Sequence, residues 1–547
     1  MNKILEQLLY SIYFLALVTF LIYTKHTNMG ENWDDYLVWY LLKSGIDMTL
    51  IISYPLSKLL SYLYLSYPSY QWFSYMYMAY IILCVILAAN IVSHTRSILI
   101  KISLLIFYSL CFGYLLLNYS ITLLSGLLIV LSTASLFYNY KLFIIGMFFA
   151  LFLRTELMIV YLPFIVLIIV MLKQHIDTLS FKDKLLTFFT AATYIFIILS
   201  PASNTTYKNW LTINSARGYF FDSKTYLPIL MAVAQQKISD DERFLLEMYW
   251  FQDNKVLPSK TLIDAAGDIS DQIFFSKFYP HQLLLTKLHN FYYLIIILFV
   301  YLFALLILKH HYRTAFLLTV YTILLFTVFI FRDAERVMLP LILLWFTTVY
   351  YIFRFKIGYF SALFGIVIFL MLSLYLNSYI LFKNNYKKIL FFKEDLTSLL
   401  KSKTGHYEIS LRFPYLKAHN YIDKIIKQQP IMYESEWMDL HHYNIYLPYG
   451  WLTRHPYFYQ ERNITSDNIH RHRKYQDYHS FLIDPSTYFI GEIKQASKHF
   501  QKRFLNIYDK LYNQNNNCHH EIILVDTSKY FSISQIVNKC EIKHNEE

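Results

Sequence analysis

Charge is scarce in this chain: Asp, Glu, Lys and Arg make up 16% of its 547 residues, against 56% hydrophobic residues and a mean hydropathy of +0.35. Soluble domains carry about a quarter charged residues, so an ordinary soluble globule is excluded and the chain belongs in a bilayer. Cysteine is scarce too, with four in all. Cys84 and Cys111 fall inside apolar runs, where a thiol behaves as a small hydrophobe. Cys518 and Cys540 share the tail and can pair only if the tail lies in an oxidising compartment. The net charge of +12 is scattered between apolar runs and the tail. It forms no dense basic stripe, which excludes nucleic acid as a partner. The first apolar run, Leu8 to Tyr23, leads into Lys25, His26 and Thr27. That is no small-residue cleavage site, so the run reads as a membrane helix and not a removed signal.

What the chain has instead is a series of apolar stretches of roughly 15–20 residues, the length that crosses a hydrocarbon core. About eleven are expected by that criterion: Leu8–Tyr23, Tyr70–Val92, Ile98–Leu117, Ile121–Phe137, Leu142–Leu153, Leu157–Leu172, Leu185–Leu199, Phe291–Leu308, Thr314–Phe331, Val337–Phe353 and Ile357–Leu376. If each crosses, Lys3, Arg96 with Lys101, Lys141, Lys173 with Lys182 and Lys184, Lys309 with Arg313, and Arg354 with Lys356 share one side. The positive-inside bias makes that side cytoplasmic. Leu142–Leu153 is short, and 141–172 could be one helix kinked at Pro163. That threading would bury Arg154 and Glu156 at membrane depth, so two short crossings fit better.

The expected fold is therefore a polytopic α-helical membrane domain, residues 1–382, with large outer loops 25–69 and 201–290, and a soluble C-terminal α/β domain, residues 383–547. Short helices on the membrane are expected in the first loop. Ser239 and Glu242 have capping-box spacing ahead of Phe244 in the second. In the tail, Pro430–Tyr433, Phe481–Ile483 and Glu521–Val525 read as strands and Gly491–Tyr512 as a helix. The tail has no Gly-rich phosphate loop, no C-x-x-C and no Ser/His/Asp spacing of catalytic form.

Three charged clusters fall on the outer side. Glu31, Trp33, Asp34, Asp35 and Tyr36 follow the first span. A carboxylate there can take the proton of an attacking hydroxyl, and an aromatic face can pack on a sugar ring. The other reading is an N-cap, with Asp34 or Asp35 opening a helix over Tyr36–Leu42. Arg154-Thr155-Glu156 sits between two apolar runs. An arginine fork suits a phosphate, and an Arg–Glu pair or interfacial anchor is the alternative. Arg332-Asp333-Ala334-Glu335-Arg336 is either a second phosphate contact or a solvated turn of local ion pairs. The tail histidines His441, His442, His470, His472, His519 and His520 match no zinc spacing. Asn118-Tyr-Ser120, Asn204-Thr-Thr206 and Asn463-Ile-Thr465 match the N-glycosylation pattern, which recurs by chance.

Through Trp33-Asp34-Asp35, the Arg154–Glu156 turn and the Arg-x-x-x-Arg-x-x-x-Pro turn from Arg332 to Pro340, residues 1–380 resemble the GT-C superfamily of multi-spanning glycosyltransferases. The resemblance implies an inverting transfer from a polyprenyl-phosphate sugar to a glycan, lipid or protein acceptor. It implies Asp35, or else Asp34, as the base. It places Arg154, Arg332 and Arg336 on the lipid phosphate, with Glu31, Trp33, Tyr36 and Glu156 among the substrate contacts. The second acidic motif usual in such enzymes has no clear match, although Asp222, Asp240 and Asp241 are candidates. No cofactor is certain, no metal ligands are assigned, and a divalent metal stays open. The implied location is a bacterial inner membrane, with membrane lipid as surroundings and the tail in the periplasm.

Two other classes remain. An O-antigen polymerase or ligase would also use outer arginines, but does not call for the first-loop carboxylates. A polysaccharide-lipid transporter or flippase would carry ionisable or helix-breaking positions at mid-membrane, and the spans here are nearly free of charge.

Overall fold

The computed structural model describes residues 3–23, 38–171 with single-residue gaps, 208–214, 239–247, 254–264, 312–331, 335–353, 371–380, 406–409, 445–446, 460–464, 469–473, 478–492, 498–513, 518–527 and 531–540, with a few isolated positions between. The membrane-facing part is helical: α1 Lys3–Tyr23, α2 Tyr54–Ser66, α3 Trp72–His94, α4 Ile98–Leu117, α5 Ile121–Ser135, α6 Tyr140–Leu153 and α7 Thr155–Met171. After α8, Asp240–Glu247, come α9 Tyr312–Phe331 and α10 Glu335–Phe353. Three of these, α1, α3 and α4, are long and apolar enough to cross a membrane, and α5, α6 and parts of α9 and α10 are shorter apolar helices. The expected spans Leu185–Leu199 and Phe291–Leu308 lie almost wholly outside the described residues, as does most of Ile357–Leu376.

Apolar residues that a soluble protein would hide are turned outward here. Ile4, Leu8, Ile12 and Phe20 of α1 and Leu59, Tyr62 and Leu65 of α2 are exposed, the pattern of helices whose solvent is lipid. At the centre lies α5, every residue of which is buried. It is rich in small residues, which let helices approach in a medium that supplies no hydrophobic drive between them. Ser132, Thr133 and Ser135 return their hydroxyls to the carbonyls of Leu128, Ile129 and Leu131, so no hydroxyl there is left unbonded in the apolar interior.

Contacts set the helix directions. Ser125 Oγ donates to Ala150 O and Ser132 lies against Gly146, so α5 and α6 run antiparallel as two separate helices. Gly126 of α5 meets both Pro340 of α10 and Tyr161 of α7, and Tyr161 Oη donates to Val337 O at 3.0 Å. Each of these residues lies within two turns of its helix start, so α5, α7 and α10 begin at one end of the bundle. Lys101 pairs with Glu6 at 2.9 Å and Tyr13 bonds Ser109 at 3.1 Å, which makes α1 and α4 parallel. Asn118 Nδ2 donates to Ser378 Oγ at 2.9 Å, which brings the helical segment 371–380 to the same end.

In the tail, β1 His406–Ile409, β2 Ile445–Tyr446, β5 Thr487–Glu492, β6 Cys518–Thr527 and β7 Phe531–Cys540 form a mixed sheet of order β2-β1-β5-β7-β6, and β3 Gln460–Ile464 pairs with β4 Ile469–Arg473. Two short-range expectations are corrected. Phe481 and Leu482 end a short helix, α11 Tyr478–Leu482, and Ile483 is a turn. The helix expected from Gly491 begins only at Lys498, as α12 Lys498–Tyr512, because Gly491 and Glu492 finish β5. A run of three apolar residues does not distinguish a buried helical turn from a strand. Phe504, Ile507 and Tyr508 form the buried stripe of α12 and pack with Leu482, Phe489 and Ile536, at the i, i+3, i+4 spacing of an amphipathic helix. Ile533 joins the helical bundle's cluster, so the sheet has apolar partners on both sides.

The second loop reaches the tail cluster of Phe504, Ile507 and Tyr508. Ser239 N donates to Glu242 Oε2 at 2.8 Å and Glu242 N to Ser239 Oγ at 3.2 Å, a reciprocal capping box opening α8. Phe244 and Leu245 then bury against α12. Cys518 and Cys540, opposed in the β6–β7 register, are joined by a disulfide, while Cys84 and Cys111 are free and buried.

Candidate functional site

Of the three charged clusters expected on the outer side, Arg154 is the one member whose side chain is described, and it is 5% exposed. It is the C-cap of α6, in extended conformation, one residue before α7. Its Nη1 donates to Thr122 Oγ1 in the first turn of α5. Ser120 caps that helix by accepting from Thr122 N at 3.2 Å and Leu123 N at 3.4 Å. The guanidinium thus lies at a junction of two helix ends. The carbonyl end of α6 favours the cation, and the amide end of α5 favours an anion brought beside it.

Glu156 and Arg336 lie in the first turns of α7 and α10, at that same end, with side chains outside the described set. Arg332, Glu31, Trp33, Asp34, Asp35 and Tyr36 also lie outside the described residues. The described part of the first loop starts at Val38. Expected on a membrane surface, its next turn is instead internal: Val38, Trp39 and Leu42 are wholly buried. Ser53, at the start of α2, donates its amide to Phe152 O at 3.4 Å. This ties the loop to the helix end that carries Arg154.

Sequence reasoning missed Lys43. It is 4% exposed, donates to Pro68 O, and lies 5.0 Å from the Tyr64 ring centroid. The only signal was a cation ending the apolar run from Val38 to Leu42. It also passed over His479 and Asp509, which close on His520 in the tail. The Asn118 glycosylation pattern is structurally spent, since its amide is bonded to Tyr114 O and Ser378 Oγ and Ser120 serves as a cap. Among the described residues, no three His, Cys, Asp or Glu side chains gather as a metal site would require. No protein family, curated protein or solved structure matches this chain.

Proposed function

We propose that the chain is an integral membrane glycosyltransferase that takes a sugar from a polyprenyl-phosphate carrier and passes it to a glycan, lipid or protein acceptor on the non-cytoplasmic face. The observation that carries this reading is the placement of Arg154. It is a buried guanidinium at the junction of α6 and α5, at the end where α7 and α10 also begin and where the first loop packs. A lipid phosphate arriving there meets a planar cation and an amide-rich helix start together. The Cys518–Cys540 disulfide supports a tail in an oxidising compartment. The contact of Asn118 with Ser378 supports leading the tail out at the end that holds Arg154, and that of Ser53 with Phe152 supports the first loop at that end.

In this reading Asp35, or its neighbour Asp34, takes the acceptor proton as the hydroxyl attacks the anomeric carbon, and the carrier phosphate leaves with inversion. Trp33 and Tyr36 pack on the sugar, Glu31 and Glu156 orient polar groups, and Arg154, Arg332 and Arg336 hold the phosphate. The test is transfer by purified protein in nanodiscs, using a panel of polyprenyl-phosphate sugars. Asp35→Asn or Asp34→Asn should lower turnover by roughly 10²–10⁴, and Arg154→Gln should raise the donor requirement more than the acceptor requirement. Near-native transfer by the doubly substituted Asp34→Asn, Asp35→Asn protein would remove this mechanism and bring the polymerase, ligase and transport readings forward.

A further inference from the structure

His479 of α11 and His520 of β6 meet nitrogen to nitrogen, with Nε2 to Nε2 at 3.0 Å. The ring centroids are 5.2 Å apart, which adds nearly the full radius of each ring to the nitrogen gap. The two nitrogens therefore point head-on, as in a linear N–H···N bond.

The inner ring is fixed by its neighbours. The His520 side chain has no exposure, and Asp509 Oδ1 accepts from its backbone amide at 2.7 Å and its Nδ1 at 2.6 Å. Asn513 donates to the same carboxylate at 3.1 Å and ties it to Asn538 of β7. The half-buried outer ring of His479 lies flat on Tyr512, with centroids 3.6 Å apart, and Lys255 stands 4.9 Å from that tyrosine's centroid. Tyr508 also lies beside both rings.

These partners dictate where protons go. A carboxylate only accepts, so Nδ1 of His520 carries a proton. While both rings are neutral, Nε2 of His520 is a lone pair and His479 donates to it. One added proton makes His520 cationic and reverses the bridge, so that His479 accepts and the bond becomes charge-assisted. A second added proton sets N–H against N–H and cation against cation at 3.0 Å. The bridge tolerates one extra proton and cannot survive two.

We propose that His479, His520 and Asp509 form an acid-released clasp. It holds α11 against α12 and β6 until the second proton arrives, so that the tail responds to acidification of the compartment it faces. The proposal stands whether or not the chain transfers sugar. The experiment is hydrogen–deuterium exchange of the full-length protein in nanodiscs, corrected for intrinsic exchange, across about pH 7 to 5, the histidine range. Protection of residues 478–483 should fall by at least about tenfold, as local opening of a short segment does, while α5 stays protected. His479→Gln should abolish the pH step in the 518–521 segment of β6. Unchanged wild-type protection at pH 5, or a step that persists in His479→Gln, overturns the clasp. So does protection at pH 7 that requires Zn²⁺ and vanishes with chelator, because a metal and not a proton would then join the two nitrogens.

Discussion

Gly126 and Pro340 touch so closely that a Cβ on the glycine would stand 2.6 Å from the proline Cγ. The contact joins α5 to α10 at the level where Tyr161 of α7 donates to Val337 O. A proline ring cannot swing aside as a flexible chain would, so Gly126→Ala must separate the helices or strain them. Overpacking of this kind costs about 1–3 kcal/mol. The thermal midpoint of the purified protein should drop accordingly, and Gly126→Val should drop it further. An unchanged midpoint would mean that the helices are not held at this distance.

The disulfide ties the open ends of β6 and β7 across a sequence separation of 22 residues. Closing a loop of this size stabilises by about 3 kcal/mol. Cys518→Ser should therefore lower the stability of the tail to the extent that reductant does in the wild type, with no further effect of reductant on the variant. Both tail thiols should resist alkylation until the protein is reduced. Ready alkylation without reductant would place the tail in a reducing compartment and undo the outward topology.

Docking of α8 on α12 is held by two kinds of contact of unequal weight. Lys510 pairs with Asp241 at 2.8 Å, but the lysine side chain is 65% exposed, and such pairs contribute under about 1 kcal/mol. Phe244 is buried in the tail cluster with the Arg503 guanidinium 4.4 Å from its ring centroid. Its truncation to Ala removes about 3–5 kcal/mol of packing. Limited proteolysis should open the 239–264 segment in Phe244→Ala and leave it closed in Lys510→Ala. The reverse order would make the docking electrostatic.

Glu521 pairs with Lys539 across β6 and β7. The hydrogen bond from Lys539, reinforced by its charge, holds the Glu521 carboxyl below its ordinary value. A depressed folded-state value stabilises the fold above the unfolded value and is lost as pH falls through the folded one. Glu521→Gln should therefore be slightly less stable than wild type at neutral pH. The two should converge below the ordinary carboxylate range or in high salt, whereas a difference that persists in acid would rule out the ion pair as its source.

Much of the local structure was legible in the residues themselves. The span Ile98–Leu117 coincides with a helix of those bounds, because apolar length and the need to satisfy every backbone group inside a bilayer leave a helix as the solution. The capping box at Ser239 and Glu242 was readable for a similar reason, since its partners are three residues apart. What folding alone decided lies in contacts between residues far apart in the chain. Arg154 reaches Thr122, Asn118 reaches Ser378, and Cys518 faces Cys540 by strand register. Lys43 is drawn inside by Tyr64 and Pro68, and His479 finds His520. Periodicity and composition report which face of an element is apolar. They carry no information on which distant element will cover it, and the chemistry of this chain resides in those pairings.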